Sequence, residues 1–259
     1  MGLDPDPDKL PESVMKNDDP LFEFNKKIID ATAPFAVAYK PNIAFYESAG
    51  ATGWWSLEKT VEYIRKKYPG MFLIADAKRG DIGNSSAGYA RAFLVNMGFD
   101  AVTVAPYMGE DSVKPFLEFK GKWAVVLALT SNPGAEDFQL SGESETGEPL
   151  FERVLKKAVK WGTPDNLMFV IGATRDEMLK HVRSIVPGHF LLVPGVGAQG
   201  GSLENVARSG MNEQCGLLVN CSRSIIFADD GDEFDIAAGR KALEVSEKME
   251  ALLTEKGLV

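Results

Sequence analysis

Short apolar runs alternate along the chain with longer segments in which hydrophobic residues recur at helical spacing. Runs that are apolar throughout predict strands buried on both faces, as in a parallel sheet. The predicted strands are Phe35–Tyr39, Met71–Ala75, Ala101–Val104, Trp123–Leu129, Leu167–Ile171, Phe190–Val193 and Gly216–Val219. The predicted helices are Phe22–Ala33, Ser56–Tyr68, Ser85–Met97, Pro149–Trp161, Arg175–Val186, Ser202–Ser209 and Ile236–Lys256.

The regular alternation of strand and helix predicts an α/β fold. Met1–Asp4 has the pattern of the end of an eighth strand, and eight strand–helix units close into a (β/α)8 TIM barrel. The length of 259 residues matches the ~250 residues typical of such a barrel. Because no linker or shift in composition divides the chain, we expect a single barrel domain over residues 1–259, with its first strand truncated at the N-terminus.

Composition and charge argue against several classes of function. With 28 basic and 37 acidic residues the net charge is −9, which disfavours a nucleic acid or a membrane surface as partner. The longest apolar run, Trp123–Leu129, is far shorter than the ~20 residues that span a bilayer. Cys215 and Cys221 match neither a disulfide framework nor a zinc motif. The start of the chain shows no export signal, so we expect a cytoplasmic protein that holds no metal.

Charged residues stand at the ends of otherwise apolar strands, where a barrel carries its active site. The strongest such feature is the sequence DAKRGD at residues 76–81. On an extended strand Asp76 and Lys78 point to the same side, and Asp81 follows on the loop. Flanking carboxylates keep a lysine protonated in a partly desolvated site, where it can stabilise negative charge on a substrate and deliver a proton. A salt bridge that closes the top of the barrel is the alternative interpretation.

A glycine-rich segment, PGVGAQGG, follows the seventh predicted strand at residues 194–201. It contains GxGxxG, but the next strand ends in NCSR, without the acidic residue that binds a ribose in dinucleotide folds. Loops after strands 7 and 8 of barrels frequently bind phosphate through backbone N–H groups, and Arg223 would add a charge-assisted contact. A plain glycine turn with a surface arginine is the alternative.

Sequence blocks at the predicted strand ends include GLDPDP, YKPNIAFYE, DAKRGDIGNS, TSNPGA, VPGVGAQGG and NCSRSI. In their order and placement they resemble the orotidine 5′-phosphate decarboxylase family, in its second bacterial subclass. The resemblance implies a carboxy-lyase that converts orotidine 5′-monophosphate (OMP) to uridine 5′-monophosphate (UMP) and carbon dioxide in the last step of UMP biosynthesis. It also implies a homodimer, and a reaction that needs no cofactor.

The resemblance further implies a role for each matching residue. Lys78 matches the lysine that protonates C6 of the pyrimidine after carbon dioxide leaves, and Asp76 matches the carboxylate beside the leaving group. Asp81 and Ser85 match residues that reach across a dimer interface into the neighbouring site. The remaining matches are Lys40 and Asp4, which hold the ribose and orient the charged array, Ser131 at the pyrimidine edge, Pro194 beside the reacting carboxylate, and Gln199, Gly200 and Arg223 at the phosphate.

Three alternatives stay open. A metal-dependent sugar-phosphate decarboxylase or aldolase of the same superfamily places an acid at the end of the second strand, where this chain has Lys40. A different phosphate-binding barrel, such as an isomerase, would not need the Asp–Lys–Asp array. A catalytically inactive barrel that binds UMP-like ligands is opposed by the intact Asp76, Lys78 and Asp81.

Two segments and one side chain carry further expectations. Residues 132–149 form a long loop rich in Gly, Ser and Glu, which is typical of a mobile cover or a functional insert. The family normally has a helix and a full strand before GLDP, whereas only Met1–Leu3 precede Asp4 here, so we expect the true start to lie upstream. For Arg79, which points away from Lys78, we expect a structural salt bridge or a dimer contact, with the predicted helix that begins at Ser85 at the dimer interface.

Overall fold

In the part of the chain that the structure describes, eight parallel strands form a barrel in which sheet neighbours are also neighbours in sequence. The computed structural model describes residues 1–142, 147–173, 176–197 and 200–259. The strands are β1 Gly2–Leu3, β2 Ala38–Pro41, β3 Phe72–Arg79, β4 Ala101–Val104, β5 Trp123–Leu129, β6 Leu167–Ile171, β7 Leu191–Pro194 and β8 Leu217–Asn220. The Gly2 amide donates to the Cys221 carbonyl at 2.9 Å, which brings the first strand beside the end of the last. The predicted α/β barrel is confirmed.

Helices occupy the connections between the strands. The α-helices are α1 Glu12–Met15, α2 Pro20–Thr32, α3 Ile43–Glu47, α4 Gly50–Lys67, α5 Gly83–Ala90, α6 Glu110–Leu117, α7 Ala135–Phe138, α8 Leu150–Ala158, α9 Asp176–Ile185, α10 Leu203–Gly210, α11 Arg223–Ile226 and α12 Phe234–Lys256. A π-helical segment, Arg91–Asn96, continues α5, and 3-10 turns span Pro7–Lys9 and Ala33–Phe35. None of the helices in the described ranges combines the length and apolar character needed to cross a membrane.

Some boundaries differ from the prediction for identifiable reasons. Phe35 lies in a 3-10 turn with Pro34, so β2 begins at Ala38 and the apolar run before it is not strand. Helix α6 has no predicted counterpart, because Pro115 interrupts its helical pattern. Strand β3 continues beyond its apolar run as far as Arg79, which carries the charged block on the strand itself.

Apolar side chains pack in two regions, one inside the barrel and one between the barrel and the helices. Successive side chains of a strand point to opposite faces, so each strand contributes to both regions. The cluster inside the barrel contains Ile74, Ala101, Val125, Met168, Val170 and Leu192. The larger cluster joins strand residues such as Val102 and Val104 to helical residues such as Phe93 and Leu94. Burial on both faces explains why the strand runs are apolar throughout.

The same alternation positions a polar layer at the C-terminal mouth of the barrel. Ile74 of β3 pairs in register with Ala101 of β4, and both belong to the inner cluster. Two residues further along these strands lie Asp76 and Thr103, and Lys40 of β2 contacts Asp76 through its ammonium. Three neighbouring strands therefore end in polar side chains that face into the barrel, directly above its apolar filling.

The predicted cover segment is only partly described. Helix α7 lies within it, and Gln139 Oε1 accepts a hydrogen bond from the Thr130 amide at 2.7 Å, which ties its first half to the end of β5. Residues 143–146 lie outside the described residues, so the role of the segment as a cover stays a prediction.

Candidate active site

The carboxylate of Asp76 lies between two lysine ammonium groups at the mouth of the barrel. Lys40 Nζ is 2.6 Å from Asp76 Oδ2, and Lys78 Nζ is 2.6 Å from Asp76 Oδ1. Lys40 is only 5% exposed, whereas about half of the Lys78 side chain is open to solvent. One carboxylate therefore holds a buried cation on one side and an accessible cation on the other.

The pKa values of this group follow from the competition between burial and charge. Burial by itself would raise the pKa of Asp76, but Lys40 and Lys78 lower it to about 2. Burial would lower the pKa of Lys40, but the carboxylates of Asp76 and Asp4 raise it above its usual value. Asp76 and Lys40 are thus both ionised at neutral pH, and each keeps the other charged.

Lys78 reaches Asp76 from a bulge rather than from a regular strand. Ala75 pairs with Val102 and Arg79 with Val104, so the intervening residues 76–78 of β3 lie opposite a single residue of β4. Lys78 itself has a φ of +48°, in the left-handed region that residues with a side chain seldom occupy. Asp76 and Lys78 are in contact, as expected, but the expected reason is wrong. A bulge, and not the regular alternation of a strand, brings them together.

Arg79 holds the outer side of this bulge. Its guanidinium pairs with the Glu47 carboxylate and donates to the Ala77 carbonyl at 2.9 Å. It also lies 5.5 Å from the ring centroids of Tyr89 and Phe93. These contacts confirm the structural salt bridge expected for Arg79.

A cavity of about 320 Å³ opens beside the Asp76–Lys40 pair. Its lining residues are Asp4, Asp6, Lys9, Lys40, Asn42, Phe45, Asp76, Pro194, Gly195, Val196, Asn220, Ser222 and Arg223. They come from the ends of β1, β2, β3, β7 and β8 and the segments that follow. The volume suits a ligand of nucleotide size, and charged groups of both signs line it.

The cavity brings together some of the predicted site residues but not all. Asp4, Lys40, Asp76, Pro194 and Arg223 line it; Lys78 is not among the lining residues, but its ammonium contacts Asp76, which is. Of the other predicted residues that the structure describes, Asp81, Ser85, Ser131 and Gly200 are not among those that line it. Gln199 lies outside the described residues.

Asp81 lies on the loop that follows β3, and Ser85 lies on α5. The Asp81 carboxylate accepts a hydrogen bond from the Ile82 amide at 2.7 Å, and Ser85 is exposed in the first turns of α5. Neither contacts Lys78 through a described hydrogen bond or ion pair within this chain.

Sequence reasoning missed two asparagines of the cavity. Asn42 bridges in parallel to Asp76 and caps the N-terminus of α3. Asn220 is buried and donates through Nδ2 to Ser222 Oγ at 3.2 Å. Both stand at strand ends, Asn42 in the block YKPNIAFYE and Asn220 in the block NCSRSI. That position is the signal that could have identified them.

Two buried oxygens in the cavity are left without a protein donor. Asp4 Oδ1 and Asn220 Oδ1 have no hydrogen-bond partner among the described residues, although both residues line the cavity. A buried polar atom without a partner is costly, unless a ligand supplies one. Both atoms can accept hydrogen bonds from hydroxyl groups.

The glycine loop after β7 does not offer all of its amides to a ligand. The amides of Gly197, Gly200 and Gly201 donate to the carbonyls of Gly201, Gly197 and Gly195 respectively. The expectation that glycine N–H groups face a phosphate is therefore wrong at these three positions. Arg223, at the start of α11, is exposed and lines the cavity, so it provides a cation there.

Comparison with known proteins gives consistent results. A sequence profile of the orotidine 5′-phosphate decarboxylase / HUMPS family matches residues 3–233. A curated relative from Phocaeicola vulgatus, named orotidine 5′-phosphate decarboxylase, is 58% identical over 255 residues, which cover 98% of this chain and 93% of the relative. A relative of the same name from Parabacteroides distasonis is 56% identical over 259 residues, which cover 100% of this chain and 92% of the relative. The barrel is also similar to the structure of Leishmania donovani OMP decarboxylase, with a TM-score of 0.83 and 34% identity over 97% of this chain and 92% of that one.

The lowered pKa of Asp76 predicts a specific acid sensitivity. Because its pKa is about 2 in the folded protein and 3.8 ordinarily, the carboxylate stabilises the fold above pH 4, and this contribution of about 2 kcal/mol is lost as the pH falls towards 2. We expect the free energy of unfolding of Asp76→Asn, measured by urea titration, to fall less steeply below pH 4 than that of the wild type.

Asp165→Asn is the control, since Asp165 is an exposed carboxylate outside the cavity. It should retain the wild-type slope. An Asp76→Asn variant as acid-sensitive as the wild type would contradict the assignment.

Proposed function

This chain belongs to the orotidine 5′-phosphate decarboxylase / HUMPS family, and we propose that it converts OMP to UMP and carbon dioxide. The observation that carries the proposal is the Asp76 carboxylate held between Lys40 and Lys78 at the mouth of the barrel. A fixed array of charges is the catalytic device that a decarboxylation without an electron sink requires.

The chemistry places a negative charge where the substrate cannot delocalise it. When the bond between C6 and the carboxylate breaks, carbon dioxide leaves without charge and the electron pair stays on C6, in the plane of the ring. The Lys78 ammonium stabilises this pair and gives C6 its proton, and solvent then reprotonates the amine. Asp76 lies beside the departing carboxylate and holds Lys78 in place.

The array is organised before the substrate arrives, which is the source of its effect. Lys40 and Lys78 already contact Asp76, so the charges need not reorient as C6 becomes negative. Lys40 is buried against Asp76 and supplies the opposing charge that keeps this carboxylate ionised.

The remote parts of the substrate bind along the rest of the cavity. Arg223 holds the phosphate together with Gln199, and Pro194 borders the reacting carboxylate. Asp4 Oδ1 and Asn220 Oδ1 accept hydrogen bonds from the ribose hydroxyls, which satisfies two buried oxygens. Phosphate and ribose binding then contribute free energy that organises the reacting end. Ser131, at the end of β5, contacts the pyrimidine edge.

We propose that the active form is a homodimer in which Asp81 and Ser85 enter the neighbouring site. Asp81 does not line the cavity of its own chain, and it lies on the segment between β3 and α5, at the surface of the barrel mouth. Ile82 is 56% exposed and Tyr107, on the loop after the adjacent strand β4, is 89% exposed. Exposed apolar side chains on the segments that follow β3 and β4 suit a subunit contact.

Two further proposals concern the whole chain. Residues 1–259 act as one domain, because a single cluster of buried side chains extends from Leu3 on β1 to Leu252 on α12.

The protein acts in the cytoplasm, and its two free cysteines, Cys215 and Cys221, suit a reducing compartment.

Lys78→Ala tests the catalytic assignment. Because the variant lacks both the proton donor and the accessible cation, we expect kcat/KM for OMP to fall by roughly 10²- to 10⁴-fold. The assay follows the loss of orotidine absorbance, and UMP binding is measured separately by calorimetry. Lys157→Ala, which removes an exposed lysine of α8, should retain full activity. A wild type as inactive as Lys78→Ala that still binds UMP would support the inactive-barrel alternative.

Mixing two inactive variants tests the shared site. If Asp81 acts in the neighbouring site, a heterodimer of a Lys78→Ala chain and an Asp81→Ala chain contains one intact site and one doubly altered site. Random mixing should restore about a quarter of the wild-type activity.

Lys78→Ala mixed with Asp76→Asn is the matched control, since Asp76 and Lys78 belong to the same chain's array. That mixture should recover nothing. Absence of recovery in the first mixture, with heterodimers verified by mass, would show that Asp81 does not act across the interface.

A further inference from the structure

Thr103 of β4 joins two parts of the catalytic array. The backbone amide of Lys78 donates to Thr103 Oγ1 at 2.9 Å, and Thr103 Oγ1 donates to Asp76 Oδ1 at 3.1 Å. Thr103 is 1% exposed, so water does not compete for either bond. It contacts Asp76 on the same oxygen that receives the Lys78 ammonium.

The direction of both hydrogen bonds is determined by the chemistry of the groups. An amide nitrogen can only donate and an ionised carboxylate can only accept, so the single hydroxyl proton of Thr103 must go to Asp76. The chain of donors therefore runs from the Lys78 amide through the hydroxyl to the carboxylate. Hydrogen bonds arranged in this order polarise and strengthen one another.

Thr103 is also the one residue of β4 that lies opposite the bulge of β3. Residues 76–78 face it alone, between the pairs Ala75–Val102 and Arg79–Val104. A bulge leaves backbone groups without their ladder partners, and at Lys78 the hydroxyl of Thr103 takes the place of that partner. The left-handed conformation of Lys78 is thus held by a side chain.

We propose that Thr103 is a positioning residue for the decarboxylation, acting through the Lys78 backbone and the Asp76 carboxylate without touching the substrate. This inference rests on the proposed function. By holding the bulge and the carboxylate with one hydroxyl, Thr103 keeps the Lys78 ammonium at a fixed place relative to Asp76. Small displacements of a catalytic group reduce turnover more than they reduce substrate binding, because the phosphate and ribose contacts are unaffected.

Substitutions at Thr103 separate the hydroxyl from the shape of the side chain. Thr103→Val preserves the shape and removes both hydrogen bonds, whereas Thr103→Ser preserves the hydroxyl. We expect Thr103→Val to lower kcat by about 10- to 100-fold with KM for OMP changed by less than about threefold. Thr103→Ser should stay within about threefold of the wild type in both constants.

Thr32→Val controls for loss of a buried hydroxyl elsewhere. Thr32 is fully buried on α2, and its hydroxyl donates to the Ile28 carbonyl at 2.6 Å, away from the cavity. This variant should melt at a lower temperature yet keep the wild-type kcat. It thereby separates general destabilisation from misplacement of the array.

Hydrogen exchange supplies a readout that does not depend on activity. Mass spectrometry of a peptide covering Ala75–Gly80 should show faster amide exchange in Thr103→Val than in the wild type or in Thr103→Ser. The reason is that the Lys78 amide loses its acceptor in the valine variant alone.

The outcomes are distinct. A wild-type kcat in Thr103→Val, or an equal loss in the valine and serine variants, would overturn the proposal. So would unchanged exchange of the Ala75–Gly80 peptide. If the wild-type protein has no activity towards OMP, the proposed function fails, and the exchange result alone decides whether Thr103 holds the bulge.

Discussion

The ion pairs of Asp76 are the interaction on which the rest of the site depends. Two lysines at the mouth of one barrel would repel each other, and Lys40 is too deeply buried to be solvated as a cation by water. A single carboxylate 2.6 Å from both ammonium groups removes this conflict. Its position determines where the Lys78 ammonium lies, and hence where negative charge can develop on a substrate.

The barrel provides this position through its strand geometry. Alternation along β3 and β4 fills the interior with Ile74 and Ala101, and then places Asp76 and Thr103 one layer higher. The apolar layer below excludes water from beneath the carboxylate, so its charge is felt strongly by the groups around it. The bulge at Lys78 interrupts the pairing of β3 with β4, which resumes at Arg79, and Arg79 pairs with Glu47 on the outer side.

Much of the fold and part of the site were predictable from the sequence. Wholly apolar runs mark strands buried on both faces, and charges at their ends mark the mouth, so Lys40, Asp76 and Lys78 could be recognised. The bulge could not, because it depends on the register between β3 and β4 rather than on any local pattern. Thr103 stands in an apolar run and has no local signal of its role, and helix α6 is concealed by Pro115. Asp81 could be recognised in the charged block, but its role in a neighbouring site came only from the resemblance, since its proposed contacts lie outside its own chain.

A double-mutant cycle on Asp76 and Lys40 tests the central claim most directly. Free energies of unfolding would be measured by urea titration for the wild type, Asp76→Asn, Lys40→Met and the double variant. If the carboxylate is what allows Lys40 to be buried as a cation, Asp76→Asn leaves that cation without its partner and costs about 3–5 kcal/mol. Lys40→Met costs less, because Lys78 still pairs with Asp76. The double variant leaves no such charge, so its loss should be smaller than the sum of the two single losses by about 2 kcal/mol or more. Losses that add without coupling would contradict the account.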